Sequence, residues 1–96
     1  MHVLVLRAEL HLPQVRSLKA KRSVVKSALA QLQQRNGVGA AEVDHTEVWQ
    51  RAALGVTVVS GEVGHCQQVM DEVERFLWSL PDCEVLELQR SWWEGG

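Results

Sequence analysis

Strict apolar–polar alternation at both ends of the chain encloses two segments with helical spacing, and that order of periods limits the fold more than any other feature. In residues 2–12, Leu4, Leu6, Ala8, Leu10 and Leu12 share one parity and Arg7, Glu9 and His11 the other, the period-2 pattern of a strand buried on one side. Pro13 cannot continue a ladder and ends it. Ser17 offers a hydroxyl suited to a helix N-cap. Residues 18–35 then read as a helix, with Leu18, Val25, Leu29 and Leu32 recurring on one side, and Asn36-Gly37 closes it because both residues tolerate the left-handed conformation. Residues 38–43 form a short, weak strand and residues 52–60 a stronger one, with Leu54, Val56 and Val58 on one face. Ser60-Gly61 breaks the chain. Residues 62–80 make a second helix through Cys66, Met70, Val73, Leu77 and Leu80, which Pro81 stops. Residues 83–93 alternate again, with Leu86, Leu88 and Trp92 on one side.

The order β-α-β-β-α-β with right-handed crossovers specifies an α+β, ferredoxin-like domain spanning residues 1–96: a four-stranded antiparallel sheet with both helices on one face. The apolar first and third strands take the centre, and the second and fourth the edges. Ninety-six residues suffice for one core, with a folded surface of roughly 5,500 Å². A composition 46% hydrophobic and 23% charged excludes wholesale disorder. No apolar run approaches the length of a membrane span, and the N-terminus lacks the basic lead-in of a signal peptide. Cys66 and Cys83 make neither a disulfide framework nor a zinc site. Both read as small buried hydrophobes in a reducing cytoplasm.

This topology carries residues 12–22 and residues 44–51 to the same end of the sheet, although they are distant in sequence. Arg16, Lys19, Lys21 and Arg22 arrive from one segment, and Asp44, His45, Glu47, Trp49 and Arg51 from the other. Lys19, Arg22 and Lys26 fall within about 60° on a helical wheel, a stripe that suits phosphate contacts or simply forms a solvated face. Lys21 falls inside the apolar arc of the same helix. A buried ammonium needs a partner or a route to water, so Lys21 either snorkels past the sheet edge or pairs with Asp44 or Glu47. Trp49 is a plug beneath the connection or an exposed anchor for a partner. Asp44-His45-x-Glu47 matches no established metal or general-base spacing. The charge is uneven: residues 1–51 carry +4 and residues 52–96 carry −6, for a net −2.

The face away from the helices should show Val3, Val5, Val59 and Val85, flanked by Arg7, Glu9 and Glu87, with Trp93 there and Trp92 over the core. A half-apolar sheet face usually has a partner, and a homodimer through this face or an edge strand is expected. The face lacks the central-strand aromatics of an RNA-recognition module. No phosphate loop, CxxC motif or catalytic constellation is visible, so an interaction protein without cofactor or metal is expected, not an enzyme.

The segments ELHLPQVRSLKAKRSVVKS and AEVDHTEVWQRAALGVTVVS resemble the YlxP-like family of small bacterial proteins of unassigned function. The resemblance covers nearly the whole chain and implies the same ferredoxin-like architecture. Genes of that family often lie beside those of translation initiation factor 2 and ribosome-binding factor A. The resemblance therefore implies a role in ribosome assembly or translation, with a ribosomal particle or structured RNA as partner and Arg16, Lys19, Arg22, Lys26, Trp49 and Arg51 as candidate contacts. The alternative is a structural or regulatory homodimer that touches no nucleic acid. This chain carries Ala20 where the family commonly has Glu, which forfeits a capping box with Ser17, and its WWEGG tail has no counterpart role.

Overall fold

The computed structural model describes residues 1–35 and 37–93. The Asn36 part of the expected helix stop and the last three residues of the tail lie outside them. The elements are β1 (His2–His11), α1 (Leu18–Gln33), β2 (Val38–Asp44), β3 (Arg51–Ser60), α2 (Val63–Ser79) and β4 (Glu84–Trp93). The strands form one antiparallel sheet in the order β2-β3-β1-β4. The central positions of β1 and β3 follow from their content. Leu4, Leu6, Ala8 and Leu10 of β1 and Ala52, Leu54, Val56 and Val58 of β3 are all buried, and only central strands covered by helices can bury so much.

Both helices pack on the face these residues share. Val25 and Leu32 of α1 and Cys66, Met70, Val73 and Leu77 of α2 join the same apolar cluster as the β1 and β3 side chains. α1 lies toward β2. α2 lies toward β4, to which it is clamped by Arg90, 2.5 Å from Glu74 and 2.6 Å from Asp71. The α1 terminus is tied to α2 by Arg35, whose guanidinium stands 4.6 Å from the centre of the Phe76 ring. Ser17 caps α1 as its position suggested, accepting a 3.0 Å hydrogen bond from the Ala20 N–H. Gly37, at φ +78°, carries the chain out of the helix in a conformation that disfavours any Cβ.

Two irregularities correct the period-2 reading. The β1–β4 register shifts between Glu9 and Leu10, so Val85 pairs with Leu10 and packs against the core, whereas Leu86 is displaced and 51% exposed. The expectation that Val85 faces outward and Leu86 inward fails because a bulge inverts parity beyond it. A second shift between Glu42 and Asp44 in the β2–β3 pair leaves Val43 exposed over Gly55. A Cβ built at Gly55 would lie 2.8 Å from Val43 Cγ1, so the glycine is what allows this bulge to close down.

The first turn of α1 offers a direct check of these local rules. Ser17→Ala should cost about 1 kcal/mol and lower the thermal midpoint by about 4–8 °C. Ala20→Glu, which completes a capping box at an exposed position, should raise it. Calorimetry of the two variants measures both.

Candidate functional site

The end of the sheet where β1 runs into α1 and β2 runs into β3 is built around a buried cation. Lys21 lies one turn into α1 and on its core side, and it is wholly buried. Its ammonium hydrogen-bonds the carbonyl oxygen of His45 and stands 2.7 Å from Glu42 Oε2. The same His45 carbonyl accepts a 3.0 Å bond from the Val48 N–H, so Lys21 pins a tight turn. The acid differs from the expected one. Glu42, not Asp44 or Glu47, is the counter-ion, because Glu42 is opposite Leu54 in the register and so faces the helices. The bulge after it turns Asp44 to the other face, and Glu47 is exposed in the connection.

On that other face a second cluster forms around Glu9. Arg7 Nη2 lies 2.8 Å from Glu9 Oε1 and 3.2 Å from Asp44 Oδ2. Arg51 Nη2 and His45 Nε2 lie 3.0 and 3.1 Å from Glu9 Oε2. Asp44 Oδ1 also accepts from the His45 N–H at 2.8 Å. His45 is thus the pivot between the faces: its carbonyl is held from the helix side and its ring from the open side. It adopts φ +59°, a left-handed backbone uncommon for a non-glycine residue, which these three attachments maintain. Burial by itself would raise the Glu9 carboxyl, but hydrogen bonds from Arg51 and Arg7 and the charge of His45 outweigh it and hold it below the ordinary carboxylate range. The bond from the His45 N–H, then Arg7, lowers Asp44 likewise, and Arg7 is raised by its bonds to Glu9 and Asp44.

The two segments meet as the topology required. Gln50 Nε2 donates to the carbonyls of Pro13 and Val15 at 3.4 and 3.2 Å, and the Leu12 N–H donates to the Gln50 carbonyl. Trp49 beside it is 51% exposed, so it is no plug. The remaining cations divide sharply. Arg51 is consumed by Glu9, whereas Arg16, Lys19, Arg22 and Lys26 are exposed and among the described residues form no ion pair. Arg22 and Lys26 rim a shallow groove between α1 and β2, floored by Val25, Leu29 and Ala30. Gln33 closes one end by donating a 2.8 Å bond to the Ala40 carbonyl, an outward-facing group of the edge strand.

Sequence reading missed Glu42 and the partnership of Arg7, Glu9 and Arg51. A same-face acid on β2 was the available signal for the first. Among the described residues no group of three or more His, Cys, Asp or Glu side chains is arranged to hold a metal ion, and no helix is long and apolar enough to cross a membrane. Burial, then the neighbouring Asp82, pushes the Cys83 thiol up to about 11, so it stays protonated and unreactive at neutral pH.

Lys21→Met should destabilise the fold by about 3–5 kcal/mol, because it strands the Glu42 carboxylate, and should lower amide-exchange protection over residues 44–50. Adding Glu42→Leu should recover most of the stability but not the protection, since the His45 carbonyl stays unanchored. Urea titration and hydrogen exchange read the two effects separately. Because the folded pKa of Glu9 lies below its ordinary value of 4.5, its contribution is fully present above that pH and is lost as pH falls through the folded value. Glu9→Gln should therefore flatten the acid limb of the stability profile and leave its alkaline limb unchanged.

Comparison with known proteins defines the company this arrangement keeps. The chain is 30% identical over 76 residues to the uncharacterized protein YlxP of Bacillus subtilis (strain 168), covering 79% of this chain and 83% of that one. Among solved structures it is similar to a C-terminal segment of the alpha subunit of aIF2 from Pyrococcus abyssi (TM-score 0.59, 12% identity, 88% of this chain). This chain spans 50% of the length of that segment. It is also similar to two de novo designed proteins. One is Foldit4 (TM-score 0.57, 14% identity, 95% of this chain and 97% of that one). The other is LFR1 1, which has a ferredoxin fold (TM-score 0.53, 11% identity, 99% and 88%). At such identities these structures speak to the fold alone. The model of a family described as protein of unknown function (DUF503) matches residues 3–90, and with the likeness to YlxP this places the chain in that YlxP-like family.

Proposed function

We propose that the protein is a non-enzymatic interaction module of the cytoplasm that binds a ribosomal particle or structured RNA through the outer face of α1. The observation that carries this reading is the division of the cations. The basic side chains of the sheet are neutralised by Glu9, Asp44, Asp71 and Glu74 and Lys21 by Glu42. Of the cations left without an ion pair among the described residues, Arg35 rests on the Phe76 ring and Arg75 lies on α2, while Arg16, just before α1, and Lys19, Arg22 and Lys26 on it form one uncompensated group. Unpaired cations on one stripe release counterions when they meet phosphates and need no rearrangement of internal ion pairs. The cap at Ser17 and the Lys21 anchor hold that helix start rigidly, so the stripe is presented in a fixed register. Trp49, exposed at the same end of the sheet, adds a planar surface on which a base could stack. The fold shared with a segment of a translation-factor subunit is compatible with this role. The net negative charge argues against strong non-specific binding, so the contact is weak and depends on the shape of its target.

Lys19, Arg22 and Lys26 should together give a slope of log affinity against log salt near −2 to −3, at about 0.7 to 0.9 per phosphate neutralised. Replacing the three with Gln should flatten that slope while leaving the melting curve unchanged. Filter binding to ribosomal RNA across a salt series, with cosedimentation of ribosomal particles at low salt, makes the measurement. A triple variant that cosediments as well as the parent would refute the reading.

A further inference from the structure

The sheet face opposite the helices is graded in bulk and in polarity, and the grading is laid out so that the face fits a second copy of itself. Its first cross-strand row is Val59, Val3 and Trp93, and its second is Gly39, Thr57, Val5 and Ser91. Arg7, Glu9 and Asp44 occupy the far end, already neutralised by one another and by Arg51 and His45. Across the strands the gradient runs the other way. Trp93 stands out at the β4 edge, 58% exposed. Toward the β2 edge, Gly39, Ala41, Val43 and Gly55 line a shallow apolar trough together with Val5 and Thr57. A Cβ at Gly39 would lie 2.9 Å from Thr57 Oγ1, so a side chain there would have to displace the threonine hydroxyl. Val59, on the central strand, is 48% exposed and shares its row with Val3 and Trp93, so the apolar end of the face is a contiguous patch and not an isolated residue.

We propose that two copies of this chain pack face to face through these sheets, related by a two-fold axis in the interface that runs along the strands. That axis lays β4 of each copy over β2 of the other, so that Trp93 falls on the glycine–alanine side, one row beyond Gly39, where its ring covers the near end of the trough. It also keeps each row over its own kind, valines over valines. A two-fold axis across the strands would instead press the valines onto the Arg7–Glu9–Asp44 cluster and desolvate it with nothing in return. An axis along the strands stacks the two clusters at one end of the sandwich, each already neutralised within its own copy, and puts Glu87 at the margin of an edge strand. Three strands of ten residues and one of seven, at about 4.8 Å by about 3.3 Å per residue, give a face of about 590 Å². Two such faces bury about 1,170 Å², just under the standard size of specific interfaces, so association is reversible and concentration-dependent. This contact uses the side of the sheet opposite α1 and neither requires nor excludes the RNA contact.

Sedimentation of the full chain from low to high micromolar concentration should show a monomer–dimer equilibrium. Val59→Lys and Trp93→Ala should each raise its dissociation constant at least about tenfold, with circular dichroism unchanged, while Trp78→Ala, on the outer surface of α2 and 64% exposed, should not move it. The orientation has its own test in Ala41→Cys/Gln89→Cys. These positions share a row, through Gly55 and Arg7, but occupy opposite edges about 14 Å apart in one sheet. A bis-maleimide too short for that span should give a 41–89 link between copies, identified by peptide mapping, only if β4 lies over β2; an axis across the strands would give 41–41 and 89–89 links instead. The native thiols compete poorly, Cys66 being buried and Cys83 protonated. A parent that stays monomeric at high micromolar concentration, or a dimer indifferent to Val59→Lys and Trp93→Ala, overturns the proposal. A dimer sensitive to those variants that gives no 41–89 cross-link overturns the axis.

Discussion

A single ammonium group, that of Lys21, sits where every part of one end of the molecule is joined. Removing a charge from water is costly unless geometry supplies both a counter-ion and hydrogen-bond acceptors. Here the counter-ion comes from β2, through Glu42, and the acceptor from the β2–β3 connection, through the His45 carbonyl. Because the side chain is wholly buried, α1 cannot shift along the sheet without breaking these contacts. The register of the helix, the bulge after Glu42 and the turn at His45 are therefore one constraint seen from three places.

His45 passes that constraint to the opposite face. Its ring meets Glu9 while its carbonyl is held from behind, so the open-face cluster of Arg7, Glu9, Asp44 and Arg51 is ordered by an interaction it never touches. A left-handed residue in a connection is the kind of strain that persists only when its surroundings over-determine it. Asp44 and Lys21 fix its backbone, and Glu9 fixes its side chain. This same economy of pairing is what isolates the α1 stripe. Near that end of the sheet Glu9, Asp44 and Glu42 are taken by Arg7, Arg51, His45 and Lys21, Glu47 stays exposed in the connection, and the cations left over there are those that point outward.

The two exposed features have different physical characters. The α1 stripe is polar, unpaired and sensitive to salt, suited to a weakly held polyanion. The open sheet face is apolar at one end and self-neutralised at the other, suited to a surface like itself. Nothing makes the two exclusive, since the sheet lies between them. A dimer of this kind would carry two α1 stripes on its outer surfaces, which would strengthen weak phosphate contacts on a large particle through effective concentration alone.

Period and punctuation in the sequence determined the element order, the central strands, the Ser17 cap and the meeting of residues 12–22 with residues 44–51, because these depend on local alternation, on capping chemistry and on the handedness of crossovers. The resemblance carried by the ELHLP and WQRA segments held for the family as well. That Lys21 could not remain unpartnered was also legible, since its place in the apolar arc demands compensation. Which acid compensates it was not. The choice of Glu42 over Asp44 and Glu47 turns on a bulge one residue long, and a bulge reverses which side chains face the core without leaving a mark in the apolar pattern of a weak edge strand. The same physics moved Val85 inward and Leu86 outward on the other edge. The exposure of Trp49 waited on the path of the β2–β3 connection, and the engagement of Arg51 by Glu9 on cross-strand register, because register is a property of paired strands that neither strand holds alone.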